Sequence, residues 1–372
     1  MGEPRRPALD AGADTNSARA YYDLGARRLS TDPGLAAAAF YWSARLDPMN
    51  ADAFYGLRVA LLLTDVPRLE RYWRADKSIL RQPEIKTIDS LYLRALFLNP
   101  FLHERFERAL VDAVAREMTR RRGEALPEGP HPYVPGEFRQ PSLGEQASFA
   151  YTAGRFAEAL RLYAAAIRQA RHKSYYAYMR GRVFFQLGFV DSAVSQLAAA
   201  LDELRNDDER NLVSVYTSKA LLEHSVGMAY ERLGNRTAAR DAYGRALQED
   251  LAFSPAHVRL ASIALEAEDT VTAVNEFTLA VQLQPSDALL RHQFGVALAQ
   301  ANRPAEAEAE LLKAVALNPA FADSRLALGV ALEAQGRRRE AIEAYRAFLE
   351  RASRDHPRRE DAERRIRTLA TR

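Results

Sequence analysis

The chain has 372 residues, of which 48% are hydrophobic and 27% charged, so it can bury a large core and lacks the composition of a disordered protein. It contains no cysteine, which excludes disulfides, thiolate metal sites and thiol nucleophiles. The 52 basic and 49 acidic residues leave a net charge of +3, a surplus too small to indicate a polyanionic partner.

Residues 1–15 are rich in Pro, Gly and Asp and lack an apolar stretch of signal-peptide length. We therefore expect a disordered N-terminus and no export signal. No apolar run elsewhere approaches the roughly 20 residues needed to cross a bilayer. The sequence thus predicts a cytoplasmic protein without an integral membrane segment.

Residues 16–123 show helical spacing with an imperfect period. Residues 21–48 indicate one helical pair, whereas the pattern that follows degrades over residues 62–93. Residues 94–100 resemble the closing helix of a further unit, because a proline ends an apolar helical stretch. Residues 105–122 predict a long helix that ends at the next glycine. We interpret this third of the chain as a degenerate helical region.

Residues 124–141 are a predicted linker between the two halves of the chain. The segment contains five prolines and two glycines, which oppose regular helix and strand. These residues are Pro127, Pro130, Pro132, Pro135, Pro141, Gly129 and Gly136.

Residues 142–350 carry an internal repeat. Six turn positions are separated by 34 residues, apart from one gap of 46: Gly154, Gly188, Gly234, Glu268, Asn302 and Gly336. Five residues after each turn stands an alanine: Ala159, Ala193, Ala239, Ala273, Ala307 and Ala341. The longer gap predicts an insertion at about 202–216, which we interpret as a solvated loop, with a partner-specific contact as the alternative.

A bulky side chain follows each turn at nine residues: Tyr163, Leu197, Tyr243, Phe277, Leu311 and Tyr345. Seven residues before each turn the residue is small: Ala147, Gly181, Gly227, Ala261, Gly295 and Gly329. Because small residues let two helices approach closely and bulky ones fill the remaining gap, the pattern predicts stacked helical hairpins.

This pattern resembles the tetratricopeptide repeat (TPR) family over residues 142–350. The resemblance implies an all-α fold, a right-handed α-solenoid of helix-turn-helix hairpins, and a role as a protein-interaction scaffold. Residues 351–372 predict a capping helix over the exposed end, where Phe348 replaces the small residue found in the other units.

The first helix of each hairpin should line a concave groove. We expect that groove to bind a peptide or amphipathic helix of a partner, with apolar side chains on Tyr178 and Phe185 and an acidic group on Arg182 or Arg232. The alternative is that these aromatic side chains pack within the fold. The full set of candidate groove residues is Tyr175, Tyr178, Arg182, Phe185, His224, Met228, Arg232, Leu265 and His292.

Other functions find less support in the residues. His224, His257 and His292 lie about one repeat apart, too far to share a metal ion, and no phosphate loop or dinucleotide motif is present. We expect no cofactor, no small-molecule substrate and no enzymatic activity. The alternatives are a nucleic-acid adaptor using basic clusters such as residues 120–122 and 337–339, and an enzyme in the N-terminal third. The sequence does not indicate the oligomeric state.

Overall fold

The computed structural model describes residues 2–73, 82–123, 141–208 and 219–371, and within these ranges the chain forms 19 α-helices and no strand. The all-α fold class predicted from the repeat pattern is confirmed. Consecutive helices pack against each other along most of the chain. Two regions are distinguished below: the N-terminal lobe, residues 2–122, and the repeat array, residues 141–370.

The N-terminal lobe contains six described helices. Its core is one cluster drawn from residues 22–118, with no side chain from the repeat array. Phe40 lies at the centre of this cluster between two glycines, Gly25 and Gly56, at each of which an added Cβ would approach the ring to 3.0 Å or less. The helices are α1 (Ala18–Arg28), α2 (Pro33–Leu46), α3 (Ala51–Leu63), α4 (Val66–Trp73), α5 (Pro83–Leu98) and α6 (Glu107–Arg122).

The repeat array consists of six helical hairpins followed by one further helix. The hairpins are α7 (Leu143–Thr152) with α8 (Phe156–Gln169), α9 (Ser174–Gln186) with α10 (Val190–Asp208), α11 (Lys219–Arg232) with α12 (Arg236–Glu249), α13 (Ser254–Glu266) with α14 (Thr270–Leu283), α15 (Ala288–Gln300) with α16 (Pro304–Leu317), and α17 (Asp323–Ala334) with α18 (Arg338–Arg351). The last helix is α19 (Arg359–Ala370).

The repeat positions occupy the environments that their spacing predicts. All six alanines after the turns and all six bulky residues are buried. An added Cβ at Gly227 would lie 2.5 Å from the Tyr243 ring, so the close approach of α11 and α12 depends on the absence of a side chain. The six turn positions all have positive φ, including the non-glycine residues Glu268 at 59° and Asn302 at 56°.

The predicted insertion differs in part from expectation. Helix α10 has 19 residues where α8 and α12 have 14, and it continues to Asp208. Residues 202–208 are therefore helical rather than a loop, because the apolar side chains of Leu201 and Leu204 continue the buried face of the helix. The rest of the expected insertion lies outside the described residues, as does the predicted linker apart from Pro141.

Both ends of the described chain make defined contacts. Phe348 packs with Ala362, Ile366 and Leu369, so α19 covers the apolar end of the last hairpin. Residues 2–17 form no helix, but the carbonyl of Pro4 accepts a hydrogen bond from the Trp42 indole. None of the helices in the described ranges combines the length and apolar character needed to span a bilayer.

Candidate functional site

The groove lined by α7, α9 and α11 contains a segment of the same chain. Residues 96–104, called here the resident segment, comprise the last three residues of α5 and most of the connection to α6. The chain leaves the helical conformation at Asn99, whose amide closes the last turn of α5, and residues 99–106 form no helix. Helix α9 presents Tyr178, Arg182 and Phe185 to this segment because residues three and four apart share one face of a helix.

Arg182 is the centre of the contact between groove and segment. Its side chain is only 2% exposed, its Nη1 lies 3.3 Å from Oε2 of Glu104, and its Nη2 donates to the carbonyl of Leu102. The guanidinium also lies 5.4 Å from the Tyr151 ring and 5.6 Å from the Tyr178 ring. Burial alone would lower the pKa of Arg182, but Glu104 and the surrounding tyrosines hold it well above its ordinary value. The residue is therefore a buried, paired cation.

The groove also recognises the backbone of the resident segment. The carbonyl of Leu102 accepts a hydrogen bond from the Tyr151 hydroxyl at 3.0 Å, and the carbonyl of Phe101 accepts one from Gln186. A third carbonyl, that of Phe97, pairs with Nε2 of His224 at 3.1 Å. Because main-chain carbonyls are present in every peptide, these contacts depend on the path of the backbone rather than on a particular sequence.

Aromatic packing completes the contact. The Phe101 ring stacks on Phe185 with centroids 3.7 Å apart and is 1% exposed. The Phe97 ring meets Phe253 edge-on at 5.4 Å. Leu96 is buried in the cluster that holds Tyr243. The segment thus places two rings and one aliphatic side chain in apolar sites of the array.

His224 lies beneath the segment and is fully buried. Burial lowers its pKa to about 4, while the hydrogen bond with the Phe97 carbonyl opposes that shift and the charge of Arg259 adds to it. The ring is therefore neutral at pH 7 and donates through Nε2. Its Nδ1 is buried and makes no hydrogen bond within the described part of the chain.

The contact between lobe and array extends well beyond the groove. Arg94 forms an ion pair with Asp287, and Asn318 donates to the Arg45 carbonyl at 2.8 Å. Further along, the amide of Arg354 donates to Asp14. Since the partners in the array have lower numbers as the lobe residue numbers rise, the lobe runs antiparallel along the array.

The sequence-predicted groove residues fall into two groups. Five of them, Tyr178, Arg182, Phe185, His224 and Met228, lie in the side-chain clusters around the resident segment. The other four do not join them. Tyr175 is 48% exposed, Arg232 is exposed, and Leu265 packs in a cluster with Phe277 and Leu290, drawn from its own hairpin and the next one.

His292, the fourth, lines a separate cleft of about 640 Å³ together with Val296, Leu326, Val330 and Arg365. Burial lowers the pKa of His292 to about 4, although the charge of Asp323 opposes the shift. Unlike the groove at α9, this cleft is lined by helices of the hairpins, by α19 and by the segment before it, and no residue of the N-terminal lobe is among its lining residues.

Sequence reasoning did not identify the segment that fills the groove, nor Tyr151 as part of the site. One signal was available. Phe101 and Leu102 follow Pro100, where the helix has ended and a surface turn would be expected to become polar. An apolar pair at such a position indicates a turn buried against another part of the chain.

Three arginines of the basic clusters considered for nucleic acid are paired with carboxylates. Arg120 and Arg121 both bind Glu117, while Arg337 binds Glu308 and Glu340. This pairing lowers the local positive field. In the ranges covered by the structure, no group of three or more His, Asp or Glu side chains is arranged to hold a metal ion.

The tetratricopeptide repeat family model matches residues 145–209, 227–288 and 292–357, together more than half of the chain. The chain belongs to the tetratricopeptide repeat family. The repeats support the role of a protein-interaction scaffold, and this fold is typically non-enzymatic. Comparison with curated proteins finds no match to this TPR chain.

Solved structures similar to this TPR chain include YrrB, described as a TPR protein with an unusual peptide-binding site, at 19% identity. The match covers 54% of this chain and 97% of YrrB, with a TM-score of 0.44. The C-terminal part of a TPR repeat-containing protein from Cytophaga hutchinsonii matches at 15% identity over 61% of this chain and 95% of that one, with a TM-score of 0.47. MamA from Desulfovibrio magneticus RS-1 matches at 18% identity, 48% and 93% coverage and a TM-score of 0.41.

Proposed function

We propose that this scaffold binds a peptide segment of a protein partner in the concave groove formed by α7, α9 and α11. The supporting observation is that the groove already holds such a segment, the resident segment, through the main-chain carbonyls of Phe97, Phe101 and Leu102. Donors placed for main-chain carbonyls are a means by which a protein holds a peptide of varied sequence.

The same contacts define the chemistry of the partner. Phe185 provides a flat surface for one aromatic ring, and Arg182 provides a buried cation for one carboxylate. In the resident segment the aromatic residue and the acid, Phe101 and Glu104, are three positions apart. The partner segment should therefore carry an aromatic residue followed three positions later by Asp or Glu, in a conformation that is not helical.

A fluorescent peptide with the sequence of residues 95–106 is the direct probe. The receptor is the full chain with Phe101→Ala and Glu104→Gln, two changes that weaken the resident segment and leave the groove side chains intact. We expect saturable binding, measured by fluorescence anisotropy. Adding Phe185→Ala or Arg182→Met should weaken binding at least tenfold, because central aromatic and arginine residues typically contribute 2 kcal/mol or more.

Arg232→Ala is the matched control, since Arg232 is one of the groove residues expected from the sequence but is exposed and makes none of the contacts to the resident segment described above. Binding should be unchanged by this substitution. A second peptide with alanine for the phenylalanine corresponding to Phe101 and glutamine for the glutamate corresponding to Glu104 should bind at least tenfold more weakly. If the weakened receptor keeps its helical circular dichroism but shows no saturable binding of the first peptide, the proposed function is wrong.

A further inference from the structure

We infer that the N-terminal lobe is a built-in competitor for the groove, so that a partner gains access only when the lobe leaves the array. This inference rests on the proposed function, because it concerns the same groove. The resident segment supplies the ring for Phe185, the carboxylate for Arg182 and the carbonyls for Gln186 and His224. A partner of the same chemistry cannot use these groups while the segment is present.

The lobe is built to separate from the array without losing its own core. The main cluster of the lobe draws only on residues 22–118. Among the described residues, two buried side chains of the lobe, Leu96 and Phe101, belong to clusters of the array. Tyr92 and Phe97 pack beside them, and the His103 ring meets Tyr151 and Phe156 edge-on. Contacts of this limited kind between regions of one chain resemble a transient interface rather than an obligate one.

The remaining contacts are mostly polar and can be exchanged for water. They include the ion pair of Arg94 with Asp287 and the hydrogen bonds of Asn318 and Arg354 to the lobe. Breaking such contacts returns each group to solvent, so their net contribution to docking is modest. Docking can therefore be strong enough to fill the groove and still weak enough for a partner to reverse.

Packing between lobe and array is also incomplete. A cleft of about 600 Å³ separates them, lined by Phe54, Leu57 and Leu91 from the lobe and by Leu289 and Leu317 from the array. A permanent interface would fill such a space with side chains, since protein interiors are close-packed. The cleft indicates that the two regions meet along a line of contacts rather than through a shared core.

Competition within one chain has a defined thermodynamic effect. The apparent dissociation constant of the partner is its intrinsic value divided by the fraction of molecules with an undocked lobe. Weakening the docked state should thus tighten partner binding, up to the point at which every groove is free. A covalent bond between lobe and array should do the reverse.

The absence of cysteine from the chain allows a test in the full-length protein. Arg94→Cys with Asp287→Cys replaces an ion pair that joins lobe and array, outside the groove contacts of Arg182 and Phe185. Without cross-linking, this variant should bind the labelled 95–106 peptide more tightly than the wild type by a measurable factor below about tenfold, the effect of losing one ion pair. After reaction with a short bis-maleimide, binding should fall to the wild-type level or below it.

Arg303→Cys with Glu306→Cys is the cross-linking control. This exposed ion pair lies within the array, so its reaction with the same reagent should leave peptide binding at the wild-type level. The receptor with Phe101→Ala and Glu104→Gln provides the reference for a free groove, and the groove variants Phe185→Ala and Arg182→Met provide the reference for lost recognition.

The outcomes separate this inference from the proposed function. If the free-groove receptor, the variant with Phe101→Ala and Glu104→Gln, fails to bind the peptide, the proposed function is wrong. The lobe then has no partner to compete with. If the wild type, the cross-linked Arg94→Cys/Asp287→Cys variant and the free-groove receptor bind equally well, and Phe185→Ala still abolishes binding, the groove is confirmed and the competitor is refuted. Tight binding by the cross-linked variant would likewise overturn the requirement for lobe movement.

Discussion

The repeat array and the N-terminal lobe use the same packing device in different ways. In the array the glycines seven residues before the turns each face a separate bulky side chain of their own hairpin, as Gly227 faces Tyr243 and Gly329 faces Tyr345. In the lobe two glycines face the single ring of Phe40. The lobe also buries an ion pair, in which Nη1 of Arg58 lies 2.8 Å from Glu107.

This difference shows how periodic and irregular helical folds distribute stability. In the array, every hairpin is a separate copy of one packing arrangement, so a defect in one hairpin leaves its neighbours intact. In the lobe, one cluster holds all the helices, so a defect spreads to each of them. The contacts between lobe and array follow neither the repeated hairpin packing nor the single cluster.

The substitution with the largest expected effect removes Arg182, the cation at the contact between lobe and array. Arg182→Ala should lower the free energy of unfolding by about 3–5 kcal/mol, because it leaves the buried Glu104 without its cation. If lobe and array are separate cooperative units, urea denaturation followed by fluorescence and circular dichroism should also resolve two transitions. Arg303→Ala, at an exposed pair, should change neither the midpoint nor the number of transitions.

A pH titration tests the burial of His224 at the contact between the regions. Its pKa is about 4 in the folded chain and ordinarily about 6.5, so between these values only the unfolded state binds the proton. Stability should therefore fall as the pH is lowered through this window, by about 2 kcal/mol between pH 7 and pH 5. His224→Gln should lack this component in urea titrations at the two pH values. An equal loss of unfolding free energy between pH 7 and pH 5 in both proteins would contradict a buried, neutral His224 ring.

Glycine substitutions test whether defects are shared or separate. Gly227→Ala and Gly329→Ala should each destabilise by about 1–3 kcal/mol, because the new methyl group meets a ring, and their effects should add. Gly25→Ala and Gly56→Ala both displace Phe40, so together they should cost about 1 kcal/mol less than the sum. Thermal unfolding of the single and double variants measures both quantities.

Gly244→Ala serves as the control for that series. Gly244 lies in α12 with open space around it, so alanine should stabilise the helix by about 0.5–1 kcal/mol. Additive effects at Gly25 and Gly56 would show that the two substitutions act independently in the lobe, as those at Gly227 and Gly329 are expected to do in the array.

The smallest expected effect concerns the turns. Glu268 adopts a left-handed conformation at a position where four other units have glycine. Glu268→Gly should stabilise the array by about 0.5–1 kcal/mol, because glycine has no Cβ to strain. Asn302→Gly should gain less, since asparagine tolerates this conformation better. A loss of stability at Glu268→Gly, measured by thermal unfolding, would show that its side chain has a role the periodicity does not reveal.

The array could be predicted from sequence because its determinants are local and repeated. The alanine after each turn and the bulky residue four positions later are all buried, and even Glu268 and Asn302 occupy the left-handed turn conformation. The end of α5 before Pro100 also follows from local chemistry. Such features need only the spacing of residues along one helix or across one turn.

The content of the groove could not be predicted in this way. The sequence indicated that Phe185 and Arg182 would meet an apolar side chain and an acid, and the structure shows that Phe101 and Glu104 do so within the same chain. The contact of Arg182 with Leu102 joins residues 80 positions apart and occurs once, so it leaves no periodic trace. Binding of a partner at these residues stays a prediction.

The antiparallel course of the lobe has a mechanical consequence. Stacked hairpins in a solenoid deform like a spring, since each contacts only its neighbours. Here Asp14 accepts a hydrogen bond from the Arg354 amide, and the Leu102 carbonyl accepts one from Arg182. The lobe therefore braces the repeat array over most of its length. The pitch of the coil is fixed while the brace is in place. Release of the lobe would turn a stiff frame into an elastic one, which a broader distribution of distances between two dyes on the array would reveal.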